Sequence, residues 1–283
     1  MKVLKSIAEA RHDLQKHRRD EESIGLVPTM GALHKGHLSL VAEAIANNDI
    51  TVVSIFVNPI QFNNSSDLEQ YPVSLEADLQ KLAAQGVDYV FLPTNEEMYP
   101  EQPTVNLDFG HLEEVMEGQF RPGHFNGVGI VVAKLFNILL PTRAYFGQKD
   151  LQQYKIIEKL VHDFTFDLEL VMLPIIREAS GLAMSSRNQR LSEEGRGFAA
   201  EIYKALLWAN QAIIDGREKS TVIEQARKKI AQNKAISLEY LTLAYLEDLR
   251  PFEQGTPPKQ LVLCFAGHVE GVRLIDNVIV GEK

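Results

Sequence analysis

The segment Pro28-Thr29-Met30-Gly31-Ala32-Leu33-His34-Lys35-Gly36-His37 holds two imidazoles three residues apart. Imidazole N–H groups can donate hydrogen bonds to oxygens whose negative charge grows in a transition state, so the pair suits chemistry at a phosphate. Ile24-Gly25-Leu26-Val27-Pro28, just before it, reads as a strand. Gly36 to Asn47, with Leu38, Val41 and Ile45 in helical spacing, reads as a helix. A helix opening at about Gly36 puts His37 in its first turn, beside backbone N–H groups that lack an intrahelical partner, and that is a place for an anion. Ligands of open α/β sheets bind outside the carboxyl ends of the strands, where this loop lies. Gly31 and Gly36 allow backbone shapes and close approaches that a side chain would block. Two alternatives stand beside this reading. The histidines could be satisfied polar residues, or half of a zinc site, for which the chain lacks thiolate partners and a second His-x-x-His pair.

The elements that must position this loop alternate in type. Ile50 to Val57 is β-branched and almost wholly apolar, as a strand covered on both faces should be. Leu75 to Gln85 reads as a helix stopped by Gly86, Asp88 to Leu92 as a strand, and Val128 to Leu139 as a buried helix. Ala144 to Phe146 reads as a short strand, Asp150 to His162 as a helix and Leu168 to Leu173 as a strand. Such alternation predicts right-handed βαβ units and an α/β fold with a mostly parallel sheet flanked by helices. Beyond about residue 180 the pattern changes. A long helix carries Phe198, Ile202, Leu206, Ala209 and Ile213 on one face, a second runs over about 221–232, and strand-like runs follow at 238–246, 260–265 and 272–275. Helices followed by strands predict a smaller C-terminal α+β domain. The expected division is 1–177 and 178–283, with the linker near Arg177-Glu178-Ala179-Ser180-Gly181.

Composition narrows the function. The 283 residues carry 29 Lys and Arg against 38 Asp and Glu, a net charge of −9 that argues against a general nucleic-acid binder. An acidic protein can still bind a nucleotide if its positive groups are gathered in one pocket. The single cysteine, Cys264, sits in an apolar run and is expected to be a buried small hydrophobe. The N-terminus lacks the apolar core of a secretory signal, and no window approaches the ~20 apolar residues of a membrane span. A cytoplasmic protein without membrane attachment is the expectation. Gly123-x-x-x-Gly127-x-Gly129 is neither a dinucleotide fingerprint nor a P-loop, because no strand precedes it and no Gly-Lys-Ser/Thr follows.

His34-Lys35-Gly36-His37 after a first strand resembles the HxGH signature of the nucleotidyltransferase superfamily. The longer string VPTMGALHKGH, followed by VSIFVNPIQF, RPGHFNGV, FGQKDLQQ and MSSRN, resembles the pantothenate synthetase (pantoate–β-alanine ligase) family. The resemblance runs from about Val27 to Asn188 and resumes in Arg273-Leu274-Ile275-Asp276-Asn277. It implies a Rossmann-like parallel-sheet domain that binds ATP and pantoate, with the C-terminal domain closing over the active site. It also implies a two-step ligation with ATP, pantoate and β-alanine as substrates, accompanied by Mg2+: pantoyl adenylate and pyrophosphate form first, and β-alanine then displaces AMP. A homodimer through the N-terminal domain is implied as well.

The resemblance assigns roles residue by residue. Met30, Gly31, Ala32, Leu33, His34, Lys35, Gly36 and His37 match the ATP-binding loop, with the histidines at the phosphates and His37 the candidate proton donor. A helix N-terminus disfavours His⁺ and a triphosphate favours it; either state can donate. Gln61 and Gln153 match pantoate-binding glutamines, whose amides donate and accept at fixed geometry and so can read hydroxyl and carboxylate groups. Asn58 is placed near the β-alanine path. In Gly147-Gln148-Lys149-Asp150, glycine and aspartate would address ribose and Lys149 a phosphate. Met184-Ser185-Ser186-Arg187 would clasp the β- and γ-phosphates with two hydroxyls and a planar guanidinium. The backbone of Ile176 would hold adenine. Asp78 corresponds to part of an acidic pair near Mg2+, but Ala77 stands where its companion would be. Mg2+ is then expected to be held mainly by triphosphate and water. Glu117 and Arg121 match a loop over the cavity and are expected as lid or subunit-contact residues.

Two other functions compete. A transferase that leaves the nucleotide in its product would want extra Arg or Lys for a phosphorylated acceptor where Gln61 and Gln153 stand. A silent nucleotide-binding module would be expected to have lost a histidine or the Ser-Ser-Arg loop, and this chain keeps both.

Overall fold

The computed structural model describes residues 1–63, 65–255 and 259–282. The chain divides into two compact units, Met1–Gln148 with Gln153–Pro174, and Lys149–Gln152 with Ile175–Lys283.

The first unit is built on six parallel strands: β1 (Lys2–Leu4), β2 (Ile24–Thr29), β3 (Ile50–Ile55), β4 (Tyr89–Phe91), β5 (Arg143–Gly147) and β6 (Glu169–Leu173). Their order is β1-β4-β3-β2-β5-β6. From β2 the chain moves outward to β3 and β4, then returns to place β5 on the other side of β2. The direction of winding therefore reverses between β2 and β5, and this is the switch point at which open α/β sheets leave a crevice for ligands. All six residues of β3 are buried, which is why its sequence is a continuous run rather than an alternation. Ile24 to Thr29 pair in unbroken register with Ile50 to Ile55, so the loops leaving β2 and β3 emerge at one edge. The helix Lys35–Asn47 buries Leu40, Val41 and Ala44, which join Val27, Val53, Leu82 and Tyr145 in the core.

Several boundaries differ from the sequence reading. β3 stops at Ile55, after which the chain turns into the 3-10 segment Pro59–Gln61. The helix expected from Val128 begins at His124, and its added turn contains polar His124 and Asn126, which break the apolar pattern. β1 leaves no strand signal in the sequence, because it is three residues long and only Leu4 is buried.

The second unit carries an antiparallel sheet of β7 (Ile236–Tyr245), β8 (Leu261–Val269) and β9 (Val272–Ile279), in the order β7-β8-β9. Its core joins Leu206 and Ala209 of the helix Glu193–Ile214, Val222 of the helix Lys219–Gln232, and Leu241, Leu263 and Phe265 of the sheet. Cys264 is buried, as its apolar run predicts. β9 continues four residues beyond the expected end through buried Asp276 and Asn277. The fold class is the one the alternation predicts, a helix-flanked parallel sheet plus a small antiparallel α+β unit. Among the described residues, no helix is long and apolar enough to cross a membrane.

Candidate active site

In the loop after β2, the backbone is shaped by two successive left-handed residues, Gly31 (φ +84°) and Ala32 (φ +50°). The first suits glycine, while the second is a conformation that alanine adopts only when its surroundings hold it there. Those surroundings are specific. The Gly31 N–H donates to Thr29 Oγ1 at 3.2 Å, and that hydroxyl donates to the Ser54 carbonyl at 2.8 Å. Asp78, from the helix Leu75–Gln85, is buried and takes one amide on each carboxylate oxygen: Ala32 N–H to Oδ2 at 2.7 Å and Leu33 N–H to Oδ1 at 2.8 Å. Lys81, one turn on, donates to the Leu33 carbonyl at 2.7 Å and stands 3.5 Å from Asp78 Oδ1. The carboxylate matched to a metal neighbourhood therefore holds the loop.

His34 is the N-cap of the helix Lys35–Asn47, and its Nδ1 accepts the Gly36 N–H at 3.1 Å. His37 Nδ1 accepts the His34 N–H at a longer 3.4 Å. A neutral imidazole whose Nδ1 accepts must carry its proton on Nε2, so both rings become donors at the same atom. The rings are stacked, with centroids 4.0 Å apart at 28°. This alters the expected anion site. The Gly36 amide is engaged by a histidine, so the donors the loop offers are imidazole N–H groups more than bare helix amides. Gly36 itself keeps an ordinary φ, and only Gly31 uses the conformational freedom expected of both.

After β3, Asn58 and Gln61 are both buried. Asn58 Nδ2 donates to Gln61 Oε1 at 2.9 Å and to the Gly127 carbonyl at 3.1 Å, while Asn58 Oδ1 accepts from Tyr99 Oη at 2.8 Å. Gln61 Nε2 lies 3.2 Å from Met30 Sδ, tying the amide to the histidine loop. Behind it, His124 Nδ1 donates to the Gln61 carbonyl at 2.8 Å, Arg121 Nη1 reaches His124 Nε2 at 3.1 Å, and Glu117 lies 4.0 Å from Arg121. Glu117 is buried, and the chain of contacts through Arg121 and His124 ends on the Gln61 carbonyl. The close packing depends on Gly127, where a Cβ would lie 2.5 Å from the Ile60 carbonyl oxygen and 2.7 Å from Gln61 Cα. That accounts for a glycine in a motif that is not a nucleotide fingerprint. Gly147 ends β5 at the same sheet edge, followed by Gln148; Gln153 is half-buried in the helix Leu151–Phe164.

In the second unit, Arg177 and Ala183 pair in an isolated antiparallel bridge, and the Ile176 carbonyl accepts the Met184 N–H at 2.9 Å. This hairpin leads into Ser185, which caps the 3-10 turn Ser186–Arg190 through the Arg187 N–H. Ser186 is buried and Arg187 half-buried. Lys149 Nζ is 3.6 Å from Asp150 Oδ1. Spacing alone assigns Asp276 and Asn277 no task, and the structure supplies one. Asp276 takes Arg177 in a two-pronged pair at 2.7 and 2.9 Å, and Asn277 Nδ2 donates to the Lys149 carbonyl at 3.1 Å. The Arg177 guanidinium lies 3.5 Å from the Tyr203 ring centre. Burial pushes the Asp276 carboxyl above its ordinary range, against the pull of Arg177. Contacts spanning 99 and 128 residues leave no local signal beyond two polar residues in an apolar strand. Among the described residues, no group of three or more His, Cys, Asp or Glu is placed to hold a metal ion.

A parallel sheet with a switch point, and at its carboxyl edge a loop presenting two imidazole donors beside a buried amide pair, defines an α/β enzyme of the HxGH nucleotide-binding kind. The chain belongs to the pantoate-beta-alanine ligase family, which matches residues 2–279. It is 46% identical over 276 residues to pantothenate synthetase of Cytophaga hutchinsonii, covering 97% of this chain and 98% of that one. It is 45% identical over 280 residues to that of Thermosipho africanus, covering 99% and 100%. Among solved structures, pantothenate synthetase from Thermus thermophilus superposes with a TM-score of 0.92 at 40% identity, over 99% of each chain. The pantoate-beta-alanine ligase of Francisella tularensis, complexed with beta-gamma ATP and beta-alanine, gives 0.83 at 33%, over 100% of this chain and 99% of that one.

Proposed function

We propose that this chain condenses pantoate with β-alanine at the expense of ATP, through an enzyme-bound pantoyl adenylate. A pantoate carboxylate oxygen attacks the α-phosphorus, the bridging P–O bond to the β-phosphate breaks, and pyrophosphate leaves. The β-alanine amine then attacks the acyl carbon, AMP departs with the carboxyl-derived oxygen, and the amine loses a proton as the amide forms. AMP is a far better leaving group than an oxide from the acyl carbon, so one difficult step becomes two easier ones.

The observation that carries this reading is the histidine pair. Each Nδ1 is tied to backbone, so each Nε2–H is a fixed donor for phosphate oxygens that gain charge as the α-phosphorus is attacked. Gln61 and Gln153 hold pantoate, and Asn58 orients Gln61. Gly147 and Asp150 address ribose, Lys149 a phosphate, the Ile176 backbone adenine, and Ser185, Ser186 and Arg187 the β- and γ-phosphates. Mg2+ accompanies ATP, held by triphosphate and water, because both Asp78 oxygens are engaged with loop amides. The enzyme works in the cytoplasm as a homodimer. Incubation with ATP, pantoate and β-alanine, omitting each in turn, tests the reading: AMP and pyrophosphate should appear with pantothenate. ADP as the product would overturn the adenylate route.

A further inference from the structure

We propose that Tyr99 is a positioning residue that sets the polarity of the acid-binding amide, so that Gln61 faces its substrate as a hydrogen-bond donor only; this rests on the reading of Gln61 as the pantoate ligand. The Gly127 carbonyl oxygen can only accept, so the Asn58 atom 3.1 Å from it must be the amide nitrogen. The Asn58 oxygen then points to the Tyr99 hydroxyl at 2.8 Å, and since that oxygen only accepts, Tyr99 donates. The second Asn58 N–H is aimed at Gln61, which must meet it with Oε1 at 2.9 Å. The NH2 end of Gln61 is thereby turned to the opposite side, where its neighbour is Met30 Sδ at 3.2 Å. A thioether is a weak acceptor on a flexible stem, which a carboxylate or hydroxyl oxygen of the substrate can displace.

Every direction in this relay follows from one main-chain carbonyl, and Tyr99 closes it. Without the phenol, Asn58 Oδ1 is a buried acceptor with no donor, and rotating the amide to relieve this sets oxygen against the Gly127 carbonyl. Burial pushes the Tyr99 phenol well above its ordinary range, so it remains a donor at any assay pH. Its ring packs near Phe56, with centres 6.0 Å apart, and under the Lys134 ammonium at 5.4 Å. A Tyr99→Phe change keeps both contacts and deletes one oxygen.

The test is a double-mutant cycle on steady-state kinetics, with thermal denaturation confirming that each variant is folded. Tyr99→Phe should raise the pantoate KM about tenfold, the scale of one buried hydrogen bond, with the ATP KM within about twofold. In a Gln61→Ala background the same change should move the pantoate KM less than about twofold, because Tyr99 acts only through Gln61. A tenfold effect in both backgrounds, or none in the native one, overturns the inference and leaves Gln61 as the ligand. If Gln61→Ala itself leaves the pantoate KM unchanged, the reading beneath falls, and the inference with it. Should Tyr99→Phe prove too unstable to assay, Asn58→Ser carries the same cycle with the same expected non-additivity.

Discussion

Asp78→Asn separates two roles for the buried carboxylate, a brace for the histidine loop or a ligand of Mg2+. The substitution preserves size and leaves one oxygen able to accept a single loop amide. Its new NH2 then faces the other N–H, Ala32 or Leu33, donor against donor. One charge-assisted bond is lost, worth about 1.5–3 kcal/mol, and a buried N–H is left unsatisfied at about 1–3 kcal/mol. Lys81 also loses its charge partner, but its ammonium is partly exposed and keeps the Leu33 carbonyl, so little is added. The loop has an escape: Ala32 can leave its positive φ and recover about 1 kcal/mol. A net penalty of about 1.5–5 kcal/mol therefore falls on the bound geometry of His34 and His37. At about 1.4 kcal/mol per tenfold, pantoyl adenylate should form at least about 10-fold, and up to about 4000-fold, more slowly. Global melting should change by only a few degrees, because the loop can relax without unfolding the sheet.

The assay is single-turnover adenylate formation with saturating pantoate and ATP, repeated over a range of Mg2+ concentrations. A brace predicts a defect that excess Mg2+ does not repair. Recovery at high Mg2+ would refute the reasoning and return Asp78 to the metal. So would a rate within about threefold of native in the folded variant.

Replacing His34 or His37 with Ala should each cost about 10²–10³-fold in adenylate formation, the scale of one preorganised donor. His37→Gln should recover part of that rate, and near-native rates in both folded Ala variants would remove the histidines from the mechanism. Glu218 caps the helix Lys219–Gln232 by accepting from Ser220 and Thr221, first through their side chains, and its carboxyl is held down at about 2 from an ordinary 4.5. A depressed carboxyl contributes stability that is present above the unfolded value and lost as pH falls through the folded one. The melting-temperature gap between native and Glu218→Gln protein should thus be full at pH 7 and shrink between about pH 4.5 and 2; a gap that is constant across that range would show the charge is not responsible.

Legibility in the sequence tracked whether a residue's partner is local. β2, β3 and β5 announce themselves through apolar runs, and the helix Lys35–Asn47 through its spacing, because each is defined by its own residues. Hydrophobic patterning is silent where polar residues sit inside an element. His124 and Asn126 hid the first turn of one helix, and Asp276 and Asn277 hid the second half of β9. Histidine spacing and the amides after β3 could be seen as candidate chemistry. Tyr99 could not, since an aromatic after a four-residue helix reads as packing until Asn58, 41 residues away, is brought to its hydroxyl. Asp78 was visible only as an acid, and its two amide partners lie 46 and 45 residues earlier.

A chain of net charge −9 is proposed to bind a triphosphate and a carboxylic acid, and the first unit offers a physical account of how it can do so. Attraction at long range would need lysines and arginines, which salt screens over about 10 Å. Donors fixed at contact distance do not depend on net charge. Here main-chain groups set which atom of each side chain carries the proton it can donate: the Gly36 and His34 amides meet the two Nδ1 atoms, and the Gly127 carbonyl, through Asn58, turns Gln61 Oε1 inward. Nε2–H of each histidine and the NH2 of Gln61 follow without any side chain needing a positive charge. Neutral donors held in place also cost little to bury before substrate arrives, whereas unpaired cations would carry a desolvation penalty of several kcal/mol each. Replacing His37 with Lys should therefore not restore the rate lost in His37→Ala, although it adds charge, because a flexible ammonium has no Nδ1 with which to accept the His34 amide.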